Sequence, residues 1–148
     1  MKYEDFKVGY KGSFSKRVTT EDNKLFAELS GDYNPIHFSD EVGRKAGFNA
    51  RISNGFVQES RIAAALVETF GSKETIVVAL KKDTRFLKPV YIDDEITATV
   101  EVMDRVEALK ILKIKAECVN SKGERVVAAE MIIKIVFFIS VEEKQIRI

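Results

Sequence analysis

A carboxylate and the chain's single histidine stand five positions apart, at Asp32 and His37, in the stretch Ser30-Gly31-Asp32-Tyr33-Asn34-Pro35-Ile36-His37. Histidine takes up and releases protons near neutral pH without a large pKa shift. A neighbouring carboxylate can hold a water, fix the imidazole or share the proton traffic, and the residue types leave open which. Pro35 stiffens the loop between them, so that both side chains could point into one small volume. About twenty residues later, Ser53-Asn54-Gly55 opens a run of small and apolar residues. A helix starting at Gly55 would present free backbone N–H groups and the positive end of its dipole to an oxyanion. Glycine at that point also lets a ligand approach the backbone closely. Each piece has a plainer reading when taken alone. A lone histidine is by default an ordinary one, Asp32 and Asn34-Pro35 are turn residues, and Gly55 is a helix-start glycine.

The elements that must position these residues follow from caps and periodicity. Residues 11–18 suit a short strand. Thr19 and Thr20 are good helix N-caps, with Glu21 and Asp22 in the first turn and Leu25, Phe26 and Leu29 as an apolar stripe. Ser30-Gly31 stops that helix, and Pro35 disfavours helix at Asn34. A short helix follows from a Ser39 cap and ends at Gly47. From Gly55 to Phe70 the chain is apolar nearly all round, which predicts a buried helix.

After Gly71 the period changes to two. Ile76, Val78, Leu80, Lys82, Thr84 and Phe86 share one face of a half-buried strand. Pro89 breaks it, and Asp93-Asp94 turns the chain. Ile96, Ala98, Val100 and Val102 form the next face, and Leu112, Ile114, Ala116 and Cys118 another. Ser121-Lys122-Gly123 makes a hairpin turn, and the series from Val127 to Phe137 completes the last strand. Four strands in series with short turns imply an antiparallel sheet. The fold class is α+β, and the sheet must cover the long helix, since nothing else in the chain can. Long apolar strands leave an edge to manage, and dimerisation is a common answer.

A chain of 148 residues, 45% hydrophobic and 32% charged, suits one soluble globular domain. Its net charge of +1 shows no basic excess for nucleic acid. Cys118 is the only cysteine, so an intrachain disulfide and a cysteine metal site are both excluded. The free thiol fits a reducing compartment. No apolar run reaches the roughly 18 residues of a membrane span, and residues 1–10 lack the pattern of a signal peptide. The expectation is a cytoplasmic protein with neither nucleic-acid nor membrane partners.

The eight residues from Ser30 to His37 resemble the signature of the MaoC-like dehydratases, the (R)-specific enoyl-CoA hydratases of hot-dog fold. Ile52-Ser53-Asn54-Gly55-Phe56 is similar to that family's second segment, and the stretch from Arg85 to Asp94 resembles its third. The resemblance covers about Phe6 to Val136. It implies a single domain over residues 1–148 and an antiparallel sheet wrapped around the helix Gly55–Phe70. The tail from about 138, charged and apolar without a clear period from Ser140 to Ile148, reads by itself as flexible or packed on a partner. It also implies a homodimer, or higher homo-oligomer, with acyl-thioester sites near the subunit interface. The substrate would be an acyl-CoA or an acyl carrier protein thioester. Residue by residue, Asp32 and His37 take the places of the catalytic pair and Asn34 that of an active-site polar residue. Gly55 takes the place of the glycine whose N–H faces the thioester oxygen. The departures are Asn54, where many members have histidine, and Ala63, where some have serine.

The implied reaction hydrates a trans-2-enoyl thioester to the (R)-3-hydroxyacyl thioester, or reverses that step, and needs neither metal nor organic cofactor. Two rivals remain. An acyl-CoA thioesterase would use a carboxylate and water at the thioester carbonyl. A catalytically weak thioester-binding module or subunit would bind without turnover, and Asn54 and Ala63 keep that reading open. Arg85 and Lys88 are candidates for coenzyme A phosphates, with solvated strand ends as the equal alternative. Cys118 reads as an inert core thiol.

Overall fold

A computed structural model describes residues 2–138. Its elements are β1 (Lys11–Arg17), α1 (Thr20–Ser30), α2 (Asp40–Lys45), α3 (Gly55–Phe70), β2 (Thr75–Phe86), β3 (Glu95–Val106), β4 (Ile111–Val119) and β5 (Arg125–Phe137). The expected caps are in place. Thr19 Oγ1 accepts from the Asp22 N–H and Asp22 closes the capping box, and Ser39 caps α2. The charged and apolar tail expected from Ser140 to Ile148 lies outside the described residues.

All strand pairs are antiparallel, but the sheet is not a simple meander. Its order is β1-β3-β4-β5-β2, so β2 pairs with β5 rather than with its successor. The link from Leu87 to Asp94 makes this possible by running across one end of the sheet. At its start the Leu87 N–H donates to the Val126 carbonyl of β5, and at its end the Asp93 N–H donates to the Val18 carbonyl just after β1. In between it pairs with the segment that leads into α3. The Ser53 N–H donates to the Val90 carbonyl at 2.7 Å, and Ile52 bridges Tyr91. The link that sets the strand order therefore also pins one wall of the site described below.

The expected inward faces of β3, β4 and β5 are buried, with Phe137 the exception at 40% exposure. Helix α3 crosses the sheet and meets all five strands. It turns Val57, Ile62, Ala65, Leu66 and Phe70 inward. The expectation that α3 is buried all round is corrected: Phe56, Ala63 and Val67 lie on an exposed stripe. The sheet covers one side of the helix only.

Two more apolar faces differ from expectation. In α1, Leu25 and Leu29 point outward, and the residues turned in are Asn23 and Ala27. The helix docks through polar contacts and through Phe26, the one residue of the expected stripe that packs against the core. In β2, Ile76, Val78 and Leu80 are exposed, while Lys82 and Thr84 reach α3 and bond Glu59. A bulge between Ala79 and Lys81 accounts for this, because one extra residue flips every later side chain to the other face. The single face running from Ile76 to Phe86 is in fact two half-faces.

The N-terminal segment, which carries no periodicity, turns out to be core. Tyr3 and Phe6 are fully buried. The Tyr3 hydroxyl donates to the Ile111 carbonyl at 2.5 Å, and Phe6 packs edge-on to Phe70 at 5.2 Å.

Candidate active site

Every residue of the stretch from Ser30 to His37 has a local reason for its place. The Ser30 hydroxyl donates to the Phe26 carbonyl and accepts from the Asp32 N–H. Gly31 ends α1 in the left-handed conformation, φ 82°, which glycine adopts without strain. Asp32 Oδ1 accepts from the Asn34 N–H at 3.1 Å, an Asx-type turn. The Asn34 side chain in turn caps a 3-10 turn, Pro35–His37, with Pro35 at its first position. These nested turns swing Asp32 and His37 to one side.

A cavity of about 430 Å³ lies there, and Asp32, His37, Asn54 and Gly55 line it together. Asn34 is not on its wall. Its side chain is committed to the turn, so the structure places it as a support for Asp32 and His37 rather than beside a bound molecule.

His37 Nδ1 lies 2.8 Å from the Ile52 carbonyl. A carbonyl can only accept, so Nδ1 carries the proton and the neutral ring presents Nε2 as its basic nitrogen. The carbonyl is itself fixed. The Ile52 N–H donates to the Ile36 carbonyl, and Ile52 bridges Tyr91. The histidine tautomer thus depends on the link between β2 and β3.

Asn54 does more than line the wall. It is buried and caps α3, Oδ1 accepting from the Phe56 N–H at 3.0 Å, while Nδ2 donates to Asp32 Oδ2 at 2.8 Å. Asp32 therefore receives the Asn34 N–H on one oxygen and the Asn54 amide on the other. These two bonds hold its carboxyl below the usual carboxylate range, against the opposing effect of burial, and a protonated His37 adds to them. Asp32 is an ionised acceptor at neutral pH.

Behind Asn54 stands Asn23, buried on α1. Its Oδ1 accepts from the Asn54 N–H at 2.8 Å, and its Nδ2 donates to Ser53 Oγ at 3.2 Å and to the Thr19 carbonyl at 3.1 Å. Asn23 is a positioning residue that the sequence reading missed. The available signal was a poor helix former in a helix interior. Arg61, buried on α3, was missed as well. It donates from Nη2 to Asp22 Oδ2 at 2.9 Å and to the Arg17 carbonyl at 2.7 Å, tying α3 to α1 and β1.

Gly55 is the first residue of α3, where N–H groups lack a partner one turn back. A Cβ there would fall 2.7 Å from the Phe86 ring. Phe26, Phe56 and Phe86 form an aromatic row beside the cavity, at 5.7 and 5.8 Å between successive centroids. Lys88 lines the cavity but is paired with Glu124. Arg85 instead borders a separate groove with Lys113 and Arg125. Ala63, on the exposed side of α3, is not on the cavity wall. Cys118 is buried, and burial pushes its thiol up to about 12, in keeping with an inert core residue.

The chain has relatives among known proteins. Residues 6–124 match the family described as MaoC like domain. The chain is 33% identical over 116 residues to an (R)-specific enoyl-CoA hydratase of Rhodospirillum rubrum, covering 78% of this chain and 79% of that one. It is also 33% identical over 123 residues to a mitochondrial 3-hydroxyacyl-(acyl-carrier-protein) dehydratase of Arabidopsis thaliana, with 82% and 72% covered. Among solved structures it is similar to the (R)-hydratase from A. caviae involved in PHA biosynthesis, with a TM-score of 0.79 at 30% identity, covering 86% of this chain and 96% of that one.

Proposed function

This chain belongs to the MaoC-like domain family, and from that premise we propose that it adds water to trans-2-enoyl thioesters, giving (R)-3-hydroxyacyl thioesters, or runs the reverse dehydration. The observation that carries the reading is the pairing on one cavity wall of a histidine with a fixed tautomer and a carboxylate held ionised.

In the hydration direction, Asp32 accepts one hydrogen of a water and so aims its oxygen at C3. His37 Nε2 takes the other hydrogen as a proton while the new C–O bond forms. The electron pair of the double bond moves toward the thioester oxygen, where the Gly55 N–H receives the developing charge. The imidazolium then returns the proton to C2, so one H and one OH of the same water are added overall. Of the two candidates, His37 is the base, because two donated hydrogen bonds make Asp32 a weak one. A donor such as the Gly55 N–H typically contributes about 10²–10³ in rate.

The same reading includes one domain of this type, a cytoplasmic setting and a homodimer. The buried, unpaired Cys118 thiol fits a reducing compartment. The dimer is supported by β2, a sheet edge whose Ile76, Val78 and Leu80 stand exposed at 49%, 38% and 53%. Such an edge is a template for a second strand.

The test is incubation of the purified protein with a short trans-2-enoyl-CoA, following loss of the conjugated absorbance and resolving the product on a chiral column. The (R)-3-hydroxyacyl product should form, and His37→Ala and Asp32→Asn should each slow it by about 10²–10⁴. Release of free thiol without hydration would replace the reading with a thioesterase. Binding without turnover would replace it with a thioester-binding module.

A further inference from the structure

His37 and its acceptor belong to two segments of chain, 36–40 and 51–52, which four hydrogen bonds join among the described residues. The Ile52 N–H donates to the Ile36 carbonyl at 3.1 Å, and His37 Nδ1 donates to the Ile52 carbonyl at 2.8 Å. The other two bonds end on a single atom. Asp40 Oδ1 accepts from the Arg51 N–H at 3.1 Å and from Arg51 Nε at 2.8 Å. Asp40 stands three residues after His37, and Arg51 immediately precedes Ile52. The carboxylate therefore clamps the two segments beside the histidine's own bond.

The surroundings leave this joint little slack. A Cβ on Gly43 of α2 would strike the Ala50 carbonyl, so the helix lies directly against the segment that leads into Arg51. On the other side the Ser53 N–H is held by the Val90 carbonyl, and Ile52 bridges Tyr91. The link between β2 and β3 thus fixes where the Ile52 carbonyl is, and Asp40 fixes where the histidine stands relative to it. Asp40 is not on the cavity wall. Bonds from the Arg51 side chain and N–H hold its carboxyl below the usual carboxylate range, so it is an ionised acceptor at neutral pH. An ion pair whose side chains are 45% and 31% exposed adds little to stability. Placement is a different matter. A misplacement of about 1 Å at a reacting group can cost about 10²-fold in rate. A neutral imidazole released from its acceptor can also carry its proton on either nitrogen, and with the proton on Nε2 that atom is no longer a base.

We infer that Asp40 is a positioning residue: by clamping Arg51 it keeps the Ile52 carbonyl on His37 Nδ1, so that Nε2 stays the free nitrogen on the cavity side. Its effect on turnover rests on the hydratase reading, and its effect on the histidine tautomer does not.

His37 is the only histidine in the chain, so nitrogen-15 labelling of histidine gives a single pair of ring signals. They are read in the full chain at a pH where the ring is neutral. In wild type, Nδ1 should show the shift of a protonated nitrogen and Nε2 that of a bare one. Asp40→Ala should populate the other tautomer and move the two shifts toward each other. It should also lower kcat on a short trans-2-enoyl-CoA about tenfold or more, with KM within about threefold, because Asp40 meets no substrate. Asp40→Asn keeps an oxygen acceptor and should restore both readouts. Glu41→Ala, which breaks a surface pair with Lys45 on the same helix, should change neither. Asp40→Ser, whose hydroxyl stops short of Arg51, replaces the alanine variant should that one fail to fold. An Asp40→Ala protein that keeps the wild-type shifts overturns the inference, whatever becomes of its stability or rate. So does a wild type with the proton on Nε2, an asparagine variant that behaves like the alanine one, or a change of tautomer that leaves kcat untouched in an active protein. Hydration by wild type with neither readout moved in Asp40→Ala sinks the inference and spares the hydratase reading. Shifts that move in a protein that hydrates nothing do the reverse.

Discussion

His37 owes its chemistry to an atom it could not have chosen locally, the Ile52 carbonyl, which fixes its tautomer. Asp32 owes its charge state to Asn54 in the same way. Asn54 stands where many family members have histidine, yet it keeps two tasks, capping α3 and donating to the carboxylate. Asn54→Ser separates them, since serine is a comparable N-cap but is too short to reach Asp32. The Asp32 carboxyl, now held low, should rise toward its ordinary range. The carboxylate form is then lost at a higher pH on acidification. The carbon-13 shift of the Asp32 carboxyl, followed against pH, should therefore show its midpoint moved upward, with turnover at neutral pH reduced about tenfold. Unfolding measurements should find stability within about 0.5 kcal/mol of wild type. An unmoved carboxyl midpoint would mean that Asn54 does not hold Asp32 low.

Among the elements, α1 carries the loop of Asp32 and His37 at its C-terminal end, so its docking on α3 sets the candidate site. That docking is polar: Asn23 meets Ser53 and Asn54, and Asp22 meets Arg61. Burial alone would raise the Asp22 carboxyl, but the Thr19 N–H and the Arg61 guanidinium outweigh it and the net direction is down. A carboxylate with a lowered folded pKa contributes stability that is fully present above its unfolded value. That stability is lost as the pH falls through the folded value. Asp22→Asn should therefore lower stability at pH 7 by about 1–3 kcal/mol, the range for breaking a partly exposed ion pair to a buried arginine. The difference from wild type should vanish in acid, once the pH is below the lowered folded value of the Asp22 carboxyl. Denaturant melts of both proteins at the two pH values measure this. A difference that persists in acid would assign the loss to the cap rather than to the charge.

For the whole molecule, two apolar surfaces lie open: the stripe of Phe56, Ala63 and Val67 on α3, and the outer residues of β2. The reading of a homodimer joined along β2 predicts that Leu80→Lys, a charge placed on the strand edge, shifts sedimentation from dimer to monomer mass. The far-UV spectrum should be unchanged, because Leu80 lies at the bulge and buries little within its own chain. A variant that remains dimeric would move the interface elsewhere, and a wild type that sediments as a monomer would remove it.

What the amino-acid order determined was whatever depends on near neighbours. The stop at Gly31, the caps at Thr19 and Ser39, the extent of α3, and the alternation in β3, β4 and β5 are set by contacts a few residues apart, and all were legible. So were the turn that holds Asp32 and His37 together and the helix start at Gly55, because nested turns and a helix start are local structures carried by Asp, Asn, Pro and Gly. Tertiary structure alone decided the rest. A single bulge reverses the faces of β2, and no residue type announces it. The order of the strands follows from a link that crosses the sheet end, and the docking of α1 from a polar network spanning Thr19 to Asn54. The partners of His37 and Asp32 belong to the same class. Each is a contact between segments that meet only once the sheet has closed on α3, where burial rather than chain order decides which polar groups must find each other.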